Sequence, residues 1–351
     1  MSHAPLVAIA AVLLLTACQQ PAPARSTGGP RWIACPTGGT ASLRGLAVVD
    51  ADVVWVGGTA GTLLRTDDGG RTWRDVAPPD SAACDFRDIE AFDADTALAM
   101  VAGQPARIYR TGDGGASWQV VHEDPRPAAF FDAMAFLGER GVLLGDPIDG
   151  AFAVLVTEDR GRSWRAIEPG WLPAPAAGEA AFAASGTCIA FAAQADPVDL
   201  GFVLVRFATG GGSSRYVAVG PEVRAVPLPL AGGSASRGAF GLAFAPHSDR
   251  DVVAVGGDYQ EPAHSEGTAA WSNDGGATWQ PAAAGGYRSA AVWLAGDRVL
   301  AVGSHGASVS DDRGRTWRSF GEQGFHSVAI GRDASVFACG SGGRVARLQT
   351  D

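Results

Sequence analysis

TDDGGRTW, residues 66–73, decides the fold, because its pattern returns four more times along the chain. Ser/Thr-x-Asp-x-Gly-x-Ser/Thr-Trp recurs as TGDGGASW from Thr111, TEDRGRSW from Thr157, SNDGGATW from Ser272 and SDDRGRTW from Ser310. Half of the ten tryptophans occupy its last position, which chance does not produce. The residue types are those of a hairpin turn: a carboxylate accepts bonds from turn amides and Gly takes the positive φ. Asp68, Asp113, Asp159, Asp274 and Asp312 of these Asp-boxes are therefore read as structural, and each Trp as an apolar wedge between sheets.

Outward from the boxes, a second signal counts the repeats. Seven segments share a polar or small start followed by apolar alternation: LRGLAVV from Leu43, FRDIEAF from Phe86, FFDAMAF from Phe130, EAAFAAS from Glu179, AFGLAFA from Ala239, YRSAAVW from Tyr287 and FHSVAI from Phe325. Each precedes a second strand ending in small residues, such as VVWVGG from Val53 or VLAVGS from Val299. A third strand leads into the box and a fourth follows its Trp. Four strands in every roughly 40–50 residues, with no long helical periodicity, is the pattern of an all-β, seven-bladed propeller. The fourth repeat lacks a box, and the seventh stops after three strands at Leu348. RWIACP from Arg31 matches the post-box strands TWRDVAP and SWRAIEP, so the N-terminal strand is expected to complete the last blade and remove a bare sheet edge.

The chain then divides into a leader at 1–18, a tether at 19–30 and one propeller over 31–351. The apolar run from Leu6 to Leu15 is too short to span a bilayer, and Leu15-Thr16-Ala17-Cys18 resembles a bacterial lipobox with Cys18 as the lipidated residue. The n-region carries no Lys or Arg, a departure from the usual pattern. Gln19 after the cysteine favours an outer-membrane anchor over inner-membrane retention, placing the chain on the periplasmic side of the cell envelope. Pro, Ala, Ser and Gly at 19–30 suit a flexible tether. A net charge of -10 argues against nucleic-acid binding, which needs a concentrated basic surface. Nothing in the pattern calls for a second copy, and the chain reads as a monomer.

No cofactor or metal is expected. The sequence has no GxGxxG opening a helix, no CxxC and no CxxCH, and its six His show no ligand spacing. Cys35 and Cys84 both precede a first strand and are the candidate disulfide, with Cys188 and Cys339 as buried thiols.

Strand order locates the chemistry. With inner strands running from top to bottom, every Asp-box turn falls on the underside, and the inner-strand starts gather at the top. That brings Arg44, Arg87, Asp88, Asp132, Glu179, Arg288, Ser289 and His326 toward one channel mouth, with Asp146, Asp258 and Tyr259 added from the loops. Interleaved arginines and carboxylates suit a small polar or zwitterionic ligand or a protein segment. They could equally neutralise one another and plug the channel.

SLRGL from Ser42, DFRDIEAF from Asp85, FFDAMAF from Phe130, GEAAFAASGT from Gly178, GGDY from Gly256 and GYRSA from Gly286, together with the boxes, resemble the photosystem II stability/assembly factor-like propellers. The likeness is to their non-photosynthetic bacterial relatives and covers residues 31–351. It implies a binding or assembly role without catalysis, and it does not imply photosystem II here. The alternative is an enzyme: some members carry oxidoreductase or glycosyl hydrolase labels. A sialidase-like site could be cast from Arg44, Arg87, Arg288, Tyr259 or Tyr287, Glu179 and Asp88, though the Arg-Ile-Pro motif of such enzymes is absent.

Overall fold

In the computed structural model, which describes Met1 and residues 30–350 apart from 169, 171, 192–204 and 221, seven antiparallel sheets follow one another around a ring. Of the expected leader at 1–18 and tether at 19–30, all but Met1 and Pro30, and with them the lipidated Cys18, lie outside the described residues. Blade 1 is typical: Leu43–Val48 lines the axis, Val54–Gly58 and Leu63–Thr66 follow outward, and Arg74–Asp75 is outermost. The second strand of a blade is covered on both faces by its neighbours. Val54–Gly58, Ala97–Val101 and Val299–Gly303 are accordingly continuous apolar or glycine runs, buried at every position.

The core sits in the seams between blades. Trp55, Phe86 and Tyr109 fill the seam of blades 1 and 2; Leu98, Phe131 and Leu143 fill the next, and the pattern continues around the ring. The last blade closes as expected. Arg31–Ala34 pairs antiparallel with Val345–Gln349, and Trp32 packs 4.8 Å from the Phe325 ring. The first and last segments of the ring are thus hydrogen-bonded into one sheet.

The Asp-boxes fasten each blade to the one before it. In the box of blade 1, Thr66 Oγ1 accepts the Gly70 amide at 3.0 Å, while Asp68 accepts the Thr72 amide at 2.9 Å and the Thr72 hydroxyl at 2.7 Å. The other four boxes repeat these bonds. The second Gly of the blade 5 box has φ of 77° behind it and 83° itself, and a Cβ on Gly276 would lie 2.3 Å from the Tyr216 ring of blade 4. The turn therefore needs Gly twice over, for φ and for close approach. The box tryptophans are less buried than their pattern suggests. Only Trp279 is buried, and Trp73, Trp118, Trp164 and Trp317 are half-buried along the seam edge.

Two expectations need correction. EAAFAAS does not form the inner strand of blade 4. The blade's sheet is Ile189–Phe191, Val205–Ala208, Arg215–Val219 and Arg224–Pro227, and Glu179–Ala180 pairs instead with Gly210–Gly211 beside blade 5. Residues 181–187 leave the sheet altogether. Cys35 and Cys84 are not bridged: both thiols are free and buried. Cys35 packs with Leu43 and Trp73 in the seam of blades 7 and 1, whereas Cys84 packs with Trp55 and Phe86 in the seam of blades 1 and 2. A disulfide needs Cβ atoms about 3.5–4.5 Å apart, and seams on the two faces of blade 1 do not bring them together.

Candidate functional site

The inner strands of blades 1, 2, 3 and 5 share an irregularity near their top ends. Pairing with the second strand skips one residue in each: Arg44 between Leu43 and Gly45, Arg87 between Phe86 and Asp88, Asp132 between Phe131 and Ala133, and Phe240 between Ala239 and Gly241. The second strand of blade 3 skips Asp146 in the same way. A bulge frees its extra residue from the alternation of the pleat and re-aims the side chain. All five skipped residues line one cavity of about 470 Å³ at the top of the axis.

The cavity floor is the segment that blade 4 failed to fold into its sheet. Residues 180–184 line the cavity, and residues 181–187 reach across the axis. The Ala181 amide donates to Asp146 at 3.2 Å, the Ala183 carbonyl accepts from Arg87, and Leu242 of blade 5 donates to the Thr187 carbonyl. Ser185 donates to the Ser289 carbonyl of blade 6 at 2.8 Å and accepts at its own carbonyl from Ser327 of blade 7 at 3.1 Å. Gly186, at φ 74°, permits the crossing, since a Cβ there would meet the Asp88 carboxylate at 2.2 Å. Five blades hold one floor.

Of the residues expected at the mouth, Arg44, Arg87, Asp132, Asp146, Tyr259 and His326 line the cavity, and five do not. Asp88 follows its bulge, so it turns away, and it accepts the Ile89 and Met134 amides at 2.9 and 2.6 Å. Glu179 is locked by Arg215 at 2.5 Å and Thr209 at 2.5 Å. Asp258 accepts from Arg237 at 2.8 Å, and Ser289 donates to the His326 carbonyl at 2.6 Å. Arg288 is buried against the Ser308 hydroxyl and the Tyr287 carbonyl, and loss of solvent brings its guanidinium down to about 10. The residues cast for a sialidase-like site are therefore not brought together, because Arg288, Glu179 and Asp88 are committed elsewhere.

Sequence reading also missed the aromatic wall. Phe182 stacks on Phe240 with centroids 3.9 Å apart and planes at 9°, and Tyr287 and Tyr259 stand edge-on to Phe240 at 4.9 and 6.2 Å. These rings come from blades 4 to 6 and share no motif. Tyr287 is one of the two tyrosines that a sialidase-like site could use, and burial pushes its hydroxyl upward and away from ionising.

The charged groups of the cavity do not neutralise one another. Among the described residues Arg44 makes no hydrogen bond or ion pair, and its Nε is buried without an acceptor. Both oxygens of Asp132 are buried without a hydrogen-bond donor in bonding geometry; the Ala183 amide is the one backbone dipole that favours its charge. Burial and then the neighbouring Asp146 charge push Asp132 well above the usual carboxylate range, and burial lifts Asp146 to about 6. Arg87 alone has an ion pair, with Asp85 at 2.8 Å, and its guanidinium lies 5.9 Å from the Phe130 centroid. Burial, then the Arg44 charge, lowers His326 to about 4, so its imidazole is neutral at pH 7. His326 Nδ1 is 3.1 Å from the Leu43 carbonyl and Nε2 is 3.1 Å from Ser341 Oγ. The self-neutralising plug is not what the chain builds.

No protein-family model matches the chain, and no curated protein matches it in sequence. Solved structures match it throughout. A structure described as YCF48 bound to D1 peptide is 19% identical, covers 94% of this chain and 97% of its own, and superposes with a TM-score of 0.62. YCF48 from Cyanidioschyzon merolae is 16% identical over 91% of this chain and 98% of its own, with a TM-score of 0.63. A streptogramin B lyase structure reaches 0.58 at 12% identity over 92% of this chain and 98% of its own. What the chain shares with these proteins is a fold, and in this chain that fold is a seven-bladed β-propeller closed through its N-terminal strand.

Proposed function

We propose that this propeller is an assembly or binding scaffold that holds a segment of a client protein in its top-face cavity, from a lipid-anchored position in the cell envelope. One observation carries the reading: two arginines and two carboxylates face a single cavity, and only Arg87 has an ion-pair partner. Buried charges left unpaired are costly, so a site that keeps them is matched to something that arrives. A floored cavity of about 470 Å³ is of ligand size, and its mix of guanidiniums, carboxylates and rings suits side chains of a peptide. That one relative in fold was solved with a peptide is consistent with this. The envelope part rests on the lipobox at 15–18, with Cys18 as the anchor, and on no basic surface that would recruit nucleic acid.

The test is recovery of partners from envelope extract with tagged wild type and with Arg44→Ala/Arg87→Ala, alongside fractionation of Cys18→Ala. Wild type should recover a client that the double variant loses while melting normally, and Cys18→Ala should leave the membrane fraction. Equal recovery by both proteins, or no client together with glycosidase turnover, would overturn the reading.

A further inference from the structure

The two carboxylates of the cavity belong to one wall, and they pose a problem that the arginines do not solve. Asp132 and Asp146 stand at the bulges of the first two strands of blade 3, neighbouring each other closely enough for one charge to raise the other. Asp132 is wholly buried, and neither oxygen has a donor in bonding geometry. Asp146 is half-buried nearer the solvent, with one amide donor from Ala181. Arg87 is close enough to favour the Asp132 charge, yet it spends its hydrogen bonds on Asp85 and the Ala183 carbonyl. Asp88 sits behind, already bonded to two amides, and Cys188 is a buried neutral thiol that cannot compensate a carboxylate. Among the described residues no three His, Cys, Asp or Glu side chains group as a metal would need.

We propose that Asp132 and Asp146 form a subsite for a cationic side chain, lysine or arginine, of the bound segment. This deepens the reading of the cavity as a peptide site and rests on it. The depth of Asp132 selects a long stem: the charged head has to pass the half-buried Asp146 before reaching the inner carboxylate. The way in is lined by Ala180, Ala181 and the Phe182 ring, which suit methylenes. A short amine would stop at Asp146. A guanidinium or ammonium at the inner position supplies the donors that Asp132 lacks and adds to the single amide on Asp146, and an entering cation displaces the proton that burial otherwise holds there. The arginine wall at Arg44 and Arg87 is then left for an acceptor elsewhere on the same segment, and that fixes the direction in which the segment lies.

The experiment is a positional-scanning array of short synthetic peptides, probed with the purified chain and with Asp132→Asn, Asp146→Asn and the double variant. Wild type should select lysine or arginine at one position. The double variant should bind those peptides on the order of 30-fold more weakly, as when one side of a buried charge pair is removed, while preferences at other positions persist. Asp146→Asn alone should weaken the selection in part, and it serves as the reporter if Asp132→Asn folds poorly. Peptides that bind with no basic preference, or a basic preference that survives the double variant, would overturn the subsite and leave the peptide-scaffold reading standing. Failure of every peptide to bind wild type would overturn both.

Discussion

On the underside, Asp113 accepts the Ser117 amide at 2.9 Å and the Ser117 and Thr111 hydroxyls at 2.6 and 2.8 Å, and these bonds hold its carboxyl at about 2. At the top, Asp132 lies deeper than any box aspartate, has no such donor set, and is pushed the opposite way. The same side chain in the same blade architecture is satisfied at one end and left wanting at the other. The box carboxylates close hydrogen bonds within eight residues and hold a turn. Among the described residues the Asp132 carboxylate and the Arg44 side chain close none, and Asp146 has a single amide, that of Ala181, at 3.2 Å. The motif acids thus have the donors they need, while the acid that lacks them lies outside any motif.

The contrast can be strained from the underside first. Trp279→Ala removes the most buried box tryptophan, in the seam with Tyr216 at 5.2 Å, and should destabilise by about 3–5 kcal/mol in denaturant unfolding. A loss no greater than for half-buried Trp118→Ala would mean that the seams do not set stability.

A smaller effect of opposite sign is expected at the top. Asp132→Asn should stabilise the free protein by about 1–2 kcal/mol at pH 8, since it removes an uncompensated buried charge. The sign follows from linkage. A carboxyl raised in the folded state holds its proton there after the unfolded chain has lost it, so stability falls as pH climbs from about 4 through the raised value. Asp146, at about 6, reports on the same window, with the Ala181 amide opposing its rise and Arg87 opposing that of Asp132. The gain should therefore vanish near pH 4. Thermal melts at the two pH values decide this, and destabilisation at pH 8 would make Asp132 a structural residue.

The smallest effect is the acid limb. Asp113 is lowered to about 2, so its contribution is present above about pH 4 and lost as pH falls toward 2. Asp113→Asn should flatten the melting temperature across that interval and leave it nearly level above it. An unchanged slope would mean that the box bonds persist when protonated.

How far the sequence reaches is visible in the same two regions. Its five boxes, the six repeat starts that do form inner strands and the match of RWIACP to post-box strands carried the blade count, the underside turns and the closure through Arg31–Ala34, while the remaining start, EAAFAAS, marked the right blade with the wrong strand. They also placed Arg44, Arg87, Asp132, Asp146, Tyr259 and His326 around one mouth. Each of these signals is local or periodic: a turn is specified within eight residues, and a repeated strand order carries every copy to the same end. The tertiary structure alone decided that Arg44, Arg87, Asp132 and Phe240 sit at bulges, which turned Asp88 away one residue later. It decided that EAAFAAS would abandon its blade and become a floor held by five others, and that Phe182, Phe240, Tyr259 and Tyr287 would meet as a wall. Bulge register depends on how two strands pair, and the floor depends on bonds to residues as far away in sequence as Ser327. Neither leaves a periodic trace, because each is settled by which partners remain free once the ring has closed.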